Sequence, residues 1–176
     1  MHNNAKRLLF LVNQLMDFRK KEAGKLQIKV AEGNFSLFVE EIVIAFQELA
    51  NSRHMTLEYF GKEDNICLWY DRSLMEKVLF NLLSNAFKYT PKGGSIDITL
   101  TEKHDDPAGL PPFSDYVEIS ISDTGIGIDA DKLELIFDRF YRIENEMTSA
   151  SLGTGIGLHL CRSLVLLHHG TIHARN

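Results

Sequence analysis

The segment DRSLMEKVLFNLLSNAFKYTPKGGSIDITL, residues 71–100, decides the fold. Leu74, Val78, Leu79, Leu82, Leu83 and Ala86 recur at the helical period, and Asp71 stands where a helix cap belongs. The spacing predicts a helix from Asp71 through Tyr89. Pro91, Gly93 and Gly94 end it. From Ser95 the period changes to two: Ile96, Ile98 and Leu100 alternate with polar residues, as in a half-buried strand reaching Glu102.

Working outward, residues 55–60 and 66–70 read as short strands separated by a polar turn. Before them, Ser36 is the candidate N-cap of a helix running to about residue 52. Glu40 and Glu41 lie early in it, where the helix dipole favours acids. Val39, Ile42, Val43, Phe46, Leu49 and Ala50 make one face. After the central strand, residues 103–115 hold three of the four prolines and read as an exposed loop. Residues 117–122 alternate again and run into Asp123. A helix near 129–138, a polar stretch at 143–152, a helix at 156–168 and a strand starting at Thr171 complete the pattern. Helices and strands mix without strict βαβ alternation, which favours an α+β fold. The expectation is a two-layer α/β sandwich, a mixed sheet covered on one face by helices. Residues 4–22, with Leu8, Leu11, Val12, Leu15, Met16 and Phe18 in a stripe, read as an N-terminal helical appendage ending near Gly24.

The net charge of −5 is unevenly spread: residues 1–30 carry seven Lys/Arg against two acids. Those charges interleave with apolar positions of the first helix, so they read as its solvated face. The acidic remainder argues against a nucleic-acid binder. Cys67 and Cys161 lie in apolar runs without CxxC or metal-ligand spacing, the pattern of two buried free thiols. No stretch reaches the ~20 apolar residues a bilayer crossing needs, and no signal peptide is evident, so this chain is not expected to be membrane-inserted.

Four segments can carry chemistry. Asn81, Asn85 and Lys88 are spaced four and three apart on the central helix. Two amides and an ammonium on one face suit phosphate oxygens and a hard cation, although alone they are equally well a polar solvent face. Asp123-Thr-Gly125-Ile-Gly127 follows a strand: the carboxylate can accept from an exocyclic amine, and the glycines admit a ligand to the backbone. It does not fit the dinucleotide fingerprint, which needs a third glycine opening a helix. Gly153-Thr154-Gly155-Ile-Gly157 opens a helix, whose free N–H groups can receive phosphate, but it lacks the P-loop Lys. Phe137-Asp-Arg-Phe140-Tyr141-Arg142 combines aromatic anchors with a guanidinium.

In this order and spacing the segments resemble the histidine-kinase branch of the Bergerat (GHKL) ATPases. The N box falls at 81–89, the first glycine box at 123–127, the F box at 137–142 and the second glycine box at 153–157. His169-Gly170 is similar to the family's turn into its penultimate strand. The resemblance covers residues 36–176. Residues 1–23 look like the end of the second helix of the kinase dimerisation (DHp) domain, with 24–35 as linker.

The resemblance implies that Asp123 binds the adenine amine, that Asn85 holds Mg²⁺, and that Asn81 and Lys88 lie close to the ATP phosphates. It places Tyr89 near the base or ribose, with Phe140 and Thr154 also on the nucleotide. Gly125 and Gly127 shape the adenine pocket, while Gly153, Gly155 and Gly157 close over the triphosphate. Arg142 stabilises charge on the transferring phosphoryl group. Gyrase-like and mismatch-repair ATPases of this fold carry a water-activating glutamate at the Asn81 place. A neutral amide is no general base, so the implied chemistry is phosphoryl transfer to an external nucleophile.

None of the seven histidines has the context of the family's phosphoacceptor, and His168 and His169 read as helix-end residues meeting carbonyls. The acceptor is therefore expected on a DHp domain outside this chain. The fold's last strand is expected to be lacking after Asn176. The implied setting is a cytoplasmic domain of a homodimeric, membrane-anchored bacterial sensor whose onward partner is a response regulator receiver domain. A degenerate nucleotide-binding scaffold without turnover is the alternative, and the intact motifs count against it.

Overall fold

The computed structural model describes residues 26–61, 65–104, 115–143 and 154–176. The helix expected over 4–22, most of the 103–115 loop, most of the 143–152 stretch and Gly153 lie outside them. In chain order the elements are β1 (Ala31–Asn34), α1 (Phe35–Ser52), β2 (Thr56–Phe60), β3 (Cys67–Tyr70), α2 (Arg72–Tyr89), β4 (Ser95–His104) and β5 (Asp115–Asp123). Two 3-10 turns (Ala130–Lys132 and Leu135–Phe137) and α3 (Gly157–Leu167) follow. One compact unit comprises Val30–Arg72 and Leu82–Gly127; the other comprises Ser73–Asn81, Ile128–Asn176 and residues 26–29.

The first unit holds a mixed sheet in the order β2-β4-β5 and a separate β1-β3 ribbon. β2 runs parallel to β4, Thr56 opposite Ser95, and β5 runs antiparallel to β4, Ile96 opposite Asp123. A parallel pair needs a long crossover, and the chain between β2 and β4 supplies β3 and α2. Along β4, Ile96, Ile98 and Leu100 are fully buried while Thr99 is exposed, as alternation predicts for a sheet with one covered face. Helix α1 buries Phe38, Val39, Ile42, Val43 and Phe46. Phe46 stacks on Phe87 of α2, ring centroids 5.5 Å apart. Phe35, Phe38 and Tyr70 form a second aromatic cluster, with Arg72 lying over the Phe38 ring and paired to Glu41.

In the second unit, Leu160, Cys161 and Leu164 of α3 are completely buried together with Val78, Leu79 and Phe137. The Cys161 thiol faces the Val78 carbonyl at 3.8 Å, and burial pushes its pKa up to about 12.

Several sequence expectations change. Residues 31–34 are a strand, imposed by pairing with β3 rather than by any apolar pattern of their own. The cap of α1 is Asn34, whose side chain accepts from the Leu37 N–H at 3.0 Å. The helix starts two residues earlier than expected because Phe35 is drawn into the aromatic cluster. Ser36 is instead buried, its hydroxyl accepting the Ile66 N–H at 3.2 Å. Glu40 and Glu41 consequently fall beyond the first turn, and Glu41 meets Arg72. The helix expected at 129–138 is two 3-10 turns closed by i→i+3 bonds, Lys132 to Asp129 and Phe137 to Glu134 among them. No strand begins at Thr171: residues 171–176 have no ladder partner among the described residues. Cys67 is exposed rather than buried, because it alternates with inward residues on the two-stranded ribbon.

Candidate functional site

Three elements of the first unit meet around Asp123. Helix α2 ends at Tyr89 because Pro91 disfavours helical geometry at Thr90. Thr90 still donates its N–H to Ala86, and its side chain is buried. Asp123 is the last residue of β5 and opens the glycine turn. Its Oδ1 receives two donors: the Thr90 hydroxyl at 3.2 Å and the Gly125 N–H at 2.8 Å. Thr124 ties the turn back to β4, with its N–H donating to the Ser95 carbonyl and its hydroxyl accepting from the Ser95 N–H. Gly125 has no room for a side chain, since a Cβ there would run into Asp123 Oδ1 and lie 2.9 Å from the Tyr89 carbonyl oxygen. Gly127 ends the turn with φ +68°.

On α2 the expected polar face is divided. Asn81 is buried, and its amide nitrogen donates to the Lys77 carbonyl at 3.0 Å. Asn85 and Lys88 are half-buried. The Lys88 ammonium donates to the Tyr89 hydroxyl at 3.0 Å and sits over that ring, 4.7 Å from its centroid. Tyr89 itself is exposed, an aromatic surface beside the Asp123 turn.

In the second unit the F box and the second glycine box are fastened to each other. The Phe140 N–H donates to the Gly155 carbonyl at 2.9 Å. A Cβ on Gly155, whose φ is +67°, would lie 2.7 Å from the Phe140 carbonyl carbon, so this contact requires glycine. Phe140 is itself left-handed at φ +63°, with its ring exposed beneath the Arg139 guanidinium. A non-glycine residue held there costs of the order of 1 kcal/mol or more, which the fastening must outweigh. Phe137 is the buried anchor, with Arg162 over its ring and Arg162 reaching Glu134 at 3.6 Å. Arg142 is exposed.

Helix α3 begins at Gly157, and Ile156 at its cap supplies no side-chain acceptor, so the first turn offers backbone N–H groups outward. Thr154 is exposed, and its hydroxyl accepts the Ile156 N–H at 3.4 Å. At the other end, His169 at φ +62° and Gly170 donate back to Leu166 and Val165, the paired bonds of a Schellman cap. His168 Nδ1 donates to the Leu164 carbonyl at 2.8 Å, the helix-end role expected of it. Asn176 bonds both backbone groups of Ile128 through its carboxamide.

The sequence reading passes over Thr90. The available signal is its place: a hydroxyl forced out of a helix by the following proline, at the end of the N box.

A nucleotide-binding α/β fold with these boxes defines a class, and residues 70–176 match the family described as histidine kinase-, DNA gyrase B- and HSP90-like ATPase. The chain belongs to that family and carries its ATP-binding catalytic module. Its relatives include proteins named as histidine kinases. Histidine kinase P4 of Formosa agariphila is 38% identical over 98% of this chain, and hybrid signal transduction histidine kinase D of Dictyostelium discoideum is 36% identical over 98%. The chain spans only 12% and 11% of those relatives' own lengths. Among solved structures, full-length ShkA in complex with AMPPNP is similar with a TM-score of 0.76 at 20% identity, covering 99% of this chain and 34% of that one. Histidine kinase ThkA in complex with response regulator protein TrrA gives 0.70 at 22%, covering 99% and 45%. At these identities the likeness establishes the fold.

Proposed function

We propose that this chain is the catalytic part of a two-component sensor histidine kinase, delivering the γ-phosphoryl group of ATP to a histidine on a DHp domain. The observation that carries the reading is Asp123: one carboxylate oxygen is held by the protein, and the other receives no hydrogen bond among the described residues. A fixed acceptor beside a glycine that excludes side chains suits the exocyclic amine of adenine. Gly127 continues that opening and Tyr89 offers a ring to the base or ribose.

Lys88, steadied by the Tyr89 hydroxyl, brings positive charge toward the phosphates. The half-buried Asn85 amide has no hydrogen-bond partner among the described residues, and one neutral oxygen beside phosphate oxygens fits Mg²⁺, which takes few protein ligands. Bound there, Mg²⁺ supplies charge neutralisation on the phosphate oxygens. Gly153, Thr154, Gly155 and Gly157 close over the triphosphate, offering it the uncapped N–H groups at the start of α3. Phe140 flanks the nucleotide, and Arg142 stabilises charge on the group in flight. Asn81 is an amide bonded to its own helix and cannot take a proton from water, which favours transfer over hydrolysis.

Residues 36–176 form the domain in this reading, 24–35 the linker and 1–23 the end of the second dimerisation helix. The parent is a homodimer passing phosphate to a receiver domain, and this part is cytoplasmic. No helix among the described residues is long and apolar enough to cross a membrane. The test is binding of a fluorescent ATP analogue: Asp123→Asn and Asn85→Ala should lose it, while Asn81→Ala should remain folded. Tight Mg²⁺-dependent binding by Asp123→Asn overturns the reading.

A further inference from the structure

We infer that Thr90 is a positioning residue that fixes which oxygen of Asp123 faces the base, and so sets the preference for adenine. The inference rests on the reading of Asp123 as the acceptor for the adenine amine.

The torsion that orients a carboxylate is broad and two-fold, so an aspartate at a strand end does not present one oxygen by itself. Here two donors from different elements converge on the same oxygen. Gly125 N–H comes from the turn and the Thr90 hydroxyl from the end of α2, and both reach Oδ1. A carboxylate only accepts, so the Thr90 hydroxyl proton is committed to it. The Gly125 bond spans two residues and moves with Asp123; the Thr90 bond spans 33 and ties the side chain to a separate element. Thr90 is itself fixed. It is only 5% exposed, its N–H closes the last turn on Ala86, and bare Gly94 accommodates its methyl, where a Cβ would lie 2.5 Å from Thr90 Cγ2. Oδ2, bound by no described residue, is left as the acceptor. Without the hydroxyl, the carboxylate can turn and the amine meets an oxygen already shared with Gly125.

Specificity is therefore the readout. Adenine donates from its 6-amine, whereas hypoxanthine has a 6-oxo group that cannot donate and is repelled by a fixed carboxylate. Calorimetric titration of the full chain with ADP and with inosine diphosphate gives the ratio of affinities. Thr90→Val, near-isosteric without the hydroxyl, should narrow that ratio by about three- to ten-fold, the size of one net hydrogen bond. The loss should fall on ADP, with inosine diphosphate little changed. Thr90→Ser should keep the native ratio. A Thr90→Val protein with an unchanged ratio, or with equal loss for both nucleotides, overturns the inference; if Val does not fold, Thr90→Ala carries the same comparison. Asp123→Asn separates the two levels. If it leaves the ratio intact, the reading of Asp123 falls and takes Thr90 with it. If it collapses the ratio while Thr90→Val does not, the role of Thr90 alone is wrong.

Discussion

The two thiols have opposite environments, which no feature of their flanking residues announces. Cys67 sits on the exposed side of a two-stranded ribbon, and Cys161 is completely buried against the Val78 carbonyl. The thiolate must reach a disulfide reagent to attack its sulfur and expel the other thiolate, so the folded chain should consume one equivalent of such a reagent quickly and the second only after denaturation. The same burial has a pH consequence. Cys161 stays protonated in the folded state up to about 12, while the unfolded thiol ionises near its ordinary value of 9.0. Above pH 9 the folded state therefore binds more protons, and stability falls as pH rises toward 12. The slope per such group is bounded by about 1.4 kcal/mol per pH unit. Cys161→Ala should flatten that alkaline limb in urea titrations, whatever it costs at neutral pH. A limb equally steep in the variant would show that other groups set it.

At the scale of elements, α1 shows how a cap is chosen by what lies inside the helix. With Phe35 fixed in the aromatic cluster, the cap must be Asn34, and Ser36 is released to accept the Ile66 N–H. Asn34→Ala should cost about 1 kcal/mol in urea unfolding, the usual value of an N-cap. Ser36→Ala strands a buried N–H and should cost about 1–3 kcal/mol, the larger loss of the two. The reverse order would mean that Ser36 caps the helix after all. The elements legible in the sequence, α1, α2, α3 and β2 to β5, are those whose apolar period repeats within their own length. β1 has Ala-Glu-Gly-Asn and becomes a strand only because β3 pairs with it. The 129–138 stretch reads as helical, yet Phe140, held left-handed against Gly155, pulls the chain out after Asp138, which is already extended. The site divides in the same way. Asn85, Asp123 and the glycines are legible because residue identity in a fixed order carries them. The burial of Asn81 and the bond from Thr90 depend on a meeting of elements distant in the chain.

For the molecule as a whole, nucleotide binding is a stability measurement. A ligand that binds only the folded state stabilises it by RT ln(1 + [L]/Kd), about 2.7 kcal/mol at a hundred-fold excess over Kd. For a chain of this length that is a rise in Tm of about 5–10 °C, provided a single transition is observed. If Asn85 supplies the protein's oxygen to Mg²⁺, chelating the metal should remove a large part of the ATP-induced rise. Asn85→Ala should show a small rise from the start, no longer sensitive to chelator. Asp123→Asn should lose the rise with and without metal, since the base contact precedes any question of charge on the phosphates. The three proteins thus give distinct patterns: a chelator-sensitive rise, a chelator-insensitive residue of it, and none. A native chain whose rise ignores chelator would remove Mg²⁺ from Asn85 while leaving the adenine contact standing. A full, chelator-sensitive rise in Asp123→Asn would instead move the nucleotide away from the β5 turn, and the hydrogen bonds converging there would need another purpose.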